Sequence, residues 1–262
     1  MRTLRLIGTG GLISYRALFN WTTPSLFIGS LLAAPVFQLL FFVLLGRHTG
    51  TANDDFYILG NVVLSATGPC VTGGTMAIAN ERRFGTLGPV LLSPRSRLAL
   101  WGGRAFPYIG NALLVMVFTL ACATVLLGAA VPASALGPLS VALLSAALSG
   151  TAFGMVIGSI GLRVRNTLIT ANVTNTLLIL LTGGVVPREH LPTWMDSLGE
   201  VLPLTHAIEA ARACASGSSA FSVVRGPVLT ELALCLAYAL LAALLLRFFE
   251  RSSVRGGTLD TV

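Results

Sequence analysis

The sequence predicts an all-α integral membrane protein with six transmembrane helices, and three observations carry that prediction. Composition is the first: 54% of the 262 residues are hydrophobic and only 10% are charged. With a mean hydropathy of +0.83, too little polar surface remains to cover a water-soluble globule. The second is a series of six long apolar runs, each near the roughly 20 residues that a helix needs to cross the hydrocarbon core. The third is the placement of the arginines between those runs, which gives the bundle two unlike faces.

The chain opens with 1–24, where Arg2, Arg5 and Arg16 mix with Ile13, Tyr15, Leu18, Phe19 and Trp21, and no acidic residue occurs. That pattern suits a short interfacial helix ending at Pro24. A cleaved signal peptide fits poorly, because the apolar run begins late, is long and lacks a small-x-small cleavage site. The first span covers 25–46, with a kink expected at Pro35. The second, 56–79, is polar for a lipid-facing helix: it carries Asn61, Ser65, Thr67, Thr72, Thr75 and the pair Gly73-Gly74. Small and hydroxyl residues of this kind let helices approach closely and hydrogen-bond across the interface.

A polar stretch, 80–104, follows with Glu81 and five arginines (Arg82, Arg83, Arg95, Arg97, Arg104). The third span, 105–130, is smoother and more lipid-like; the fourth, 136–162, is rich in glycine and serine. The fifth, 167–186, carries Thr170, Asn172, Thr174, Asn175, Thr176 and Thr182, and should face protein or a water-filled path. The sixth covers 227–249 and leads into a polar tail. Between the last two, 187–226 holds two amphipathic runs, 191–202 and 204–213, each too short to cross a bilayer. The first run sets Leu191, Trp194, Leu198 and Val201/Leu202 on one face, opposite Asp196 and Glu200. Both runs read as short re-entrant or interfacial helices.

All 17 basic residues are arginine, giving a net charge of +7. In a soluble protein that excess would suggest nucleic acid; here the arginines sit between apolar runs and report orientation instead. With six spans the termini share a side, and thirteen of the 17 arginines fall on it, leaving Arg47, Arg188, Arg212 and Arg225 opposite. The first side is therefore cytoplasmic and 187–226 lies outside. The protein is expected in a plasma membrane as a multi-pass protein with both termini cytoplasmic, in bacteria the inner membrane.

The absence of lysine excludes a P-loop and Schiff-base chemistry. Cys70, Cys122, Cys214 and Cys235 are isolated in mostly apolar sequence and read as small buried hydrophobes. His48, His190 and His206 are too scattered for a metal site. Intramembrane serine proteolysis would want a Gly-x-Ser-like nucleophile facing a histidine, yet Ser149-Gly150 follows Ala147-Leu148 and no histidine falls inside a span. No catalytic residue is assigned. Asn61, Thr72, Asn172, Asn175 and Thr176 are candidates for a transport path, with ordinary interhelical hydrogen bonding as the alternative. Glu231 is the acidic residue set within apolar sequence of the sixth span. It is a functional candidate on that ground, although its place near the outer end allows its carboxylate to snorkel. Trp194 reads as an interface anchor.

Three ordered motifs run along the chain. Glu81-Arg82-Arg83-Phe84-Gly85-Thr86-Leu87, continuing to Leu91-Leu92-Ser93-Pro94, follows the second span. Gly184-Val185-Val186-Pro187 to Leu191-Pro192-Thr193-Trp194 follows the fifth, and Pro203-Leu204-Thr205 precedes the sixth. In order and spacing they resemble the permease subunits of type-2 ABC exporters, over essentially the whole chain. The resemblance implies one type-2 transmembrane domain over 1–262. Within it, a cytoplasmic coupling helix formed from Glu81, Arg82, Arg83, Gly85, Thr86, Leu87, Leu91 and Leu92 would rest on an ATPase subunit. External re-entrant helices would be flanked by Pro187, Leu191, Pro192, Trp194, Pro203 and Thr205. Gly88-Pro89 interrupts the loop where relatives carry helix formers, so a short docking helix beginning at Gly85-Thr86-Leu87 is expected.

The partners implied are two cytoplasmic ABC ATPases, a second permease half (identical or homologous), the lipid bilayer and a small-molecule cargo, without nucleic acid. No cofactor is expected on this chain; ATP-Mg belongs to the ATPase. The implied function is export of a hydrophobic or amphiphilic small molecule such as a drug, antibiotic or lipid. Polysaccharide or glycolipid export is the alternative, and a non-transporting membrane subunit a further one.

Overall fold

The computed structural model describes residues 24–50, 52–83, 85, 97–161, 166–215 and 221–256. Among them every regular element is helical. Helix α1 is Pro24–Thr49 and α2 is Asp54–Leu64; a π turn, Gly68–Thr72, leads into α3, Gly73–Arg83. Helix α4 is Arg97–Leu127, α5 is Leu136–Gly161 and α6 is Thr167–Leu181. Two short helices follow, α7 (Thr193–Val201) and α8 (Thr205–Ala215), before the long α9, Phe221–Gly256.

Five stretches are long and apolar enough to cross a membrane: Leu31–Thr49, Asp54–Asn80, Gly102–Leu127, Ala133–Gly161 and Phe221–Phe249. The expected fifth span, 167–186, is the exception. Helix α6 stops at Leu181 after 15 residues, about 22 Å at 1.5 Å per residue, short of the roughly 30 Å core. The cause is local. Thr182 turns its hydroxyl back onto Leu178 O (2.6 Å), and Gly183 takes φ +75°, the left-handed backbone that ends helices and that glycine adopts without a Cβ penalty.

The second span is not one smooth helix either. Pro69 lacks an N–H and its ring would strike the carbonyl four residues back, so the chain opens into the π turn before α3 resumes. Ser65 and Thr67 already bond back to Val62 O (2.6 Å) and Leu64 O (2.9 Å), loosening the turns on either side.

The stretch formed by α2, the π turn and α3, together with α5, is mostly buried, while α1, α4 and α9 expose most of their apolar surface. Lipid is as apolar as leucine, so close packing and hydrogen bonds hold such helices together rather than water exclusion. The contacts fit that account. Gly150, Gly154 and Gly158 line one side of α5 at four-residue spacing. A Cβ on Gly154 would come within 2.6 Å of Cys70 O, and one on Gly158 within 2.9 Å of Thr75 O. The backbones are close enough for Thr75 Oγ1 to donate to Gly154 O at 3.0 Å. Helix α9 lies along α5 in the same direction, Ser149 meeting Glu231 and Phe153 meeting the Tyr238 ring edge-on at 5.0 Å.

Sequence boundaries shift at several places. Helix α4 begins at Arg97 and α3 runs on to Arg83, so the polar stretch 80–104 is helical at both ends. Helix α9 is longer than the predicted 227–249. The predicted interfacial helix 1–24 lies almost wholly outside the described residues, as do Thr86, Leu87, Leu91 and Leu92 of the predicted coupling helix.

Candidate functional site

The described residues converge on a helical hairpin built from 188–215 and wedged among α2, α5, α6 and α9. Its elements follow from local sequence. Pro187, with φ −57°, precedes a 3-10 turn at Arg188–His190, and Pro192 occupies the cap position of α7. Gly199 sits against the end of α6, where a Cβ would run into Leu181 O. The apolar face read from the sequence points away from the bundle, with Trp194, Leu198 and Val201 exposed as an interfacial helix requires. Its polar face meets Arg188, with Asp196 half-buried and Glu200 exposed.

That polar face holds the outer end of the hairpin through Arg188. The guanidinium donates from Nε to Asp196 Oδ1 (2.5 Å), from Nη1 to Glu209 Oε1 (2.9 Å) and from Nη2 to Glu200 Oε1 (3.3 Å), tying α7 to α8. Burial works against its charge, but the hydrogen bond and charge of Asp196, then Glu209 and Glu200, leave its pKa raised. His206 adds a second link, with Nδ1 3.2 Å from Glu209 Oε2 and Nε2 3.1 Å from Glu200 O. Both ring nitrogens face acceptors, so the imidazolium alone satisfies both contacts. Accordingly the hydrogen bond to Glu209 raises the His206 pKa, and the same bond lowers that of Glu209.

Arg212 fixes the hairpin to the break after α6. Its Nη2 donates to Gly183 O (2.9 Å), Gly184 O (3.1 Å) and Phe56 O (3.1 Å), and its guanidinium lies 3.5 Å above the Phe56 ring. Gly183 and Gly184 lie in the non-helical stretch after α6, so their carbonyls have no intrahelical donor, and the planar fork reaches them and the second lone pair of Phe56 O together. Burial pushes the Arg212 pKa down to about 10, still charged near neutral pH. The approach requires Gly60, where a Cβ would collide with Gly184 O and come within 2.9 Å of Arg212 Nη2.

The inner tip is the most constrained point. Leu204 takes φ +76°, rare for a bulky residue. Its side chain is fully buried, close to the place a Cβ would occupy on Gly150. Helix α8 starts immediately afterwards, and its first N–H groups need acceptors. Thr205 Oγ1 donates to Gly199 O at 2.7 Å, closing the turn. Glu231 of α9 supplies the cap: Oε1 accepts Leu204 N–H (2.8 Å), Oε2 accepts Ala207 N–H (3.2 Å), and the Ser149 hydroxyl of α5 donates to Oε1. A carboxylate at a helix N-terminus also suits the helix dipole. Glu231 is 0% exposed, so the snorkelling expected from its sequence position is replaced by burial. Its partner Ser149 stands midway along α5. The Tyr238 hydroxyl donates to Val201 O and holds the end of α7 on the same helix.

The predicted site residues fall into three groups. Leu191, Pro192, Trp194, Pro203 and Thr205 belong to this hairpin and Pro187 immediately precedes it, with Pro203 and Thr205 buried at its tip. Among the transport-path candidates, Asn175 Nδ2 donates to Thr72 Oγ1 at 2.9 Å, joining α6 to the π turn, while its Oδ1 is buried without a hydrogen bond. Asn172 and Thr176 are exposed on α6, linked by Thr176 Oγ1 to Asn172 O at 3.1 Å. Asn61 is buried elsewhere, between Gln38 Nε2 of α1 (3.2 Å) and Tyr57 O (2.8 Å), the interhelical alternative. In the coupling group, Glu81, Arg82 and Arg83 form the last turn of α3, and Gly85 takes φ +65°, a backbone that ends a helix. The roles of Arg212, Ser149 and Gln38 were not singled out from sequence. Each is an ordinary residue until its distant partners are known.

The sequence pattern of the ABC-2 type transporter family matches residues 12–215. A probable doxorubicin resistance ABC transporter permease, DrrC of Mycobacterium tuberculosis, is 24% identical over 235 residues, covering 86% of this chain and 83% of the relative. A probable multidrug ABC transporter permease, YbhR of Escherichia coli, is 30% identical over 135 residues, covering 50% of this chain and 36% of that protein. The multi-pass helical bundle and its match over most of the chain lead to one conclusion: this protein belongs to the ABC-2 type transporter family.

Proposed function

We propose that the chain is the membrane permease subunit of an ATP-driven exporter for a hydrophobic or amphiphilic small molecule, energised by separate ATPase subunits and working with a second permease half. The observation that carries this reading is the end-to-end likeness, over 86% of the chain, to a permease named for doxorubicin resistance. The lack of lysine, and hence of a P-loop, agrees with an energy source on another chain.

A six-pass path is supported by direction. Helices α5 and α9 lie side by side and run the same way, so the chain between them has to return across the membrane. Helix α6 with the bent stretch 182–187 is the segment available for that return. Six passes put both termini on the arginine-rich side, the cytoplasm. The turn at Glu81–Arg83 and Gly85, with Thr86, Leu87, Leu91 and Leu92 beyond it, then meets the ATPase. Thr72, Asn172, Asn175 and Thr176 offer amide and hydroxyl groups to cargo beside α6.

Co-expression with a candidate ATPase subunit tests the coupling assignment. Charge reversal at Glu81, or Gly85→Pro, which cannot adopt the φ of +65° found there, is expected to leave membrane insertion intact. ATP hydrolysis continues without transport in both. Normal transport per ATP in both variants contradicts the assignment.

A further inference from the structure

Glu231 is the one fully buried acidic side chain among the described residues, and nothing in the transport reading uses it. Three elements meet on its two oxygens: α5 through the Ser149 hydroxyl, the strained tip through Leu204 N–H, and the first turn of α8 through Ala207 N–H. It sits roughly ten residues into α9, about 15 Å from the start of that helix, opposite the midpoint of α5. The hairpin therefore reaches deep into the bundle, and one carboxylate holds its tip on the α5–α9 pair. We propose that Glu231 is a positioning residue that yokes the re-entrant hairpin to α5 and α9, so that hairpin and helix pair move as one body during transport.

The chemistry explains why a carboxylate is needed. All three partners are donors, and only an acceptor-only group of two oxygens satisfies them together without presenting a hydrogen of its own. Glutamine keeps one acceptor oxygen but turns an NH2 toward a donor. Alanine leaves the Leu204 and Ala207 N–H groups without partners in an apolar interior. The left-handed Leu204 then loses the contact that holds it, and the tip is free to relax. Arg212 and Arg188 anchor the outer end independently, so loss of Glu231 detaches the tip without dismantling the hairpin.

Cys70, beside the tip, provides the readout: it is 0% exposed, its thiol lies 3.4 Å from Ala147 O, and it meets Leu204 at Gly150. The experiment uses the full chain in membranes with its ATPase, with Cys122, Cys214 and Cys235 changed to alanine, and follows the rate at which a membrane-impermeant maleimide labels Cys70. Glu231→Ala is expected to raise that rate by about tenfold or more through local opening, with ATP hydrolysis retained and cargo movement per ATP lost. Glu231→Gln is expected to fall between the two in both readouts. If the alanine variant does not reach the membrane, the glutamine variant decides alone. A wild-type labelling rate in the variants, or raised labelling with unchanged transport per ATP, overturns the proposal. The transport consequence rests on the export reading, whereas the docking does not. If the wild type moves no cargo, the export reading fails, and the labelling comparison still decides whether Glu231 holds the hairpin.

Discussion

At the scale of single residues, the charged side chains of the hairpin do much of its positioning. Arg212 donates to three backbone carbonyls, two of them, Gly183 O and Gly184 O, in the non-helical stretch after α6. Arg212→Ala leaves them in a half-buried setting and is expected to lower stability by about 3 kcal/mol. Arg212→Lys should recover only part of that, because an ammonium cannot reproduce the planar fork. Thermal melting of the detergent-solubilised protein checks both. His206 and Glu209 give the hairpin a pH dependence. The His206 pKa is raised, so its contribution is complete below the ordinary histidine value of about 6.5 and is lost as pH rises through the higher folded value. The Glu209 pKa is lowered, so its contribution is present above the ordinary carboxylate range and is lost only as pH falls through the depressed value. Backbone hydrogen exchange across 203–212 should therefore show the hairpin opening more readily as pH is raised from about 6 to 9. In His206→Gln that dependence should flatten.

At the scale of elements, the close contact of α5 with the π turn and α3 depends on glycine. A Cβ on Gly154 would lie 2.6 Å from Cys70 O and 2.7 Å from Val71 O, backbone atoms that cannot swing aside. Gly154→Val is expected to cost about 2 kcal/mol or more by overpacking. Gly110, on the exposed side of α4 with nothing within 4 Å of its would-be Cβ, should tolerate alanine. Comparing the melting temperatures of the two variants checks this. Much of this architecture is legible in the sequence, since apolar length marks five long spans and amphipathic spacing marks α7 and α8. The end of α6 was not, because the apolar and threonine-rich pattern continues past Leu181 while Thr182 and Gly183 turn the backbone out of the helix. Nor was the role of Glu231. Its distance along α9 suggested a shallow snorkelling side chain, whereas its environment is set by Ser149 and Leu204, which are remote in sequence. Hydrogen-bond partners of that kind follow from tertiary packing, not from local pattern.

At the scale of the whole molecule, the hairpin is fastened at both ends to the bundle, to the mostly buried α2 and α5 and to the largely exposed α9. Arg188 and Arg212 hold its outer end, and Glu231 holds its tip beside the centre of α5. Asn172 and Thr176 are exposed on α6, and under the proposed export function that face meets cargo or the second permease half. The central claim is that these parts serve ATP-driven export of an amphiphile. Its most direct test is uptake of doxorubicin or a comparable cationic amphiphile into inverted membrane vesicles containing this chain and its ATPase. The account predicts uptake that requires ATP and both subunits, and that is abolished when the ATPase is inactivated. Uptake equal with and without ATP, or unchanged when this chain is omitted, would contradict it.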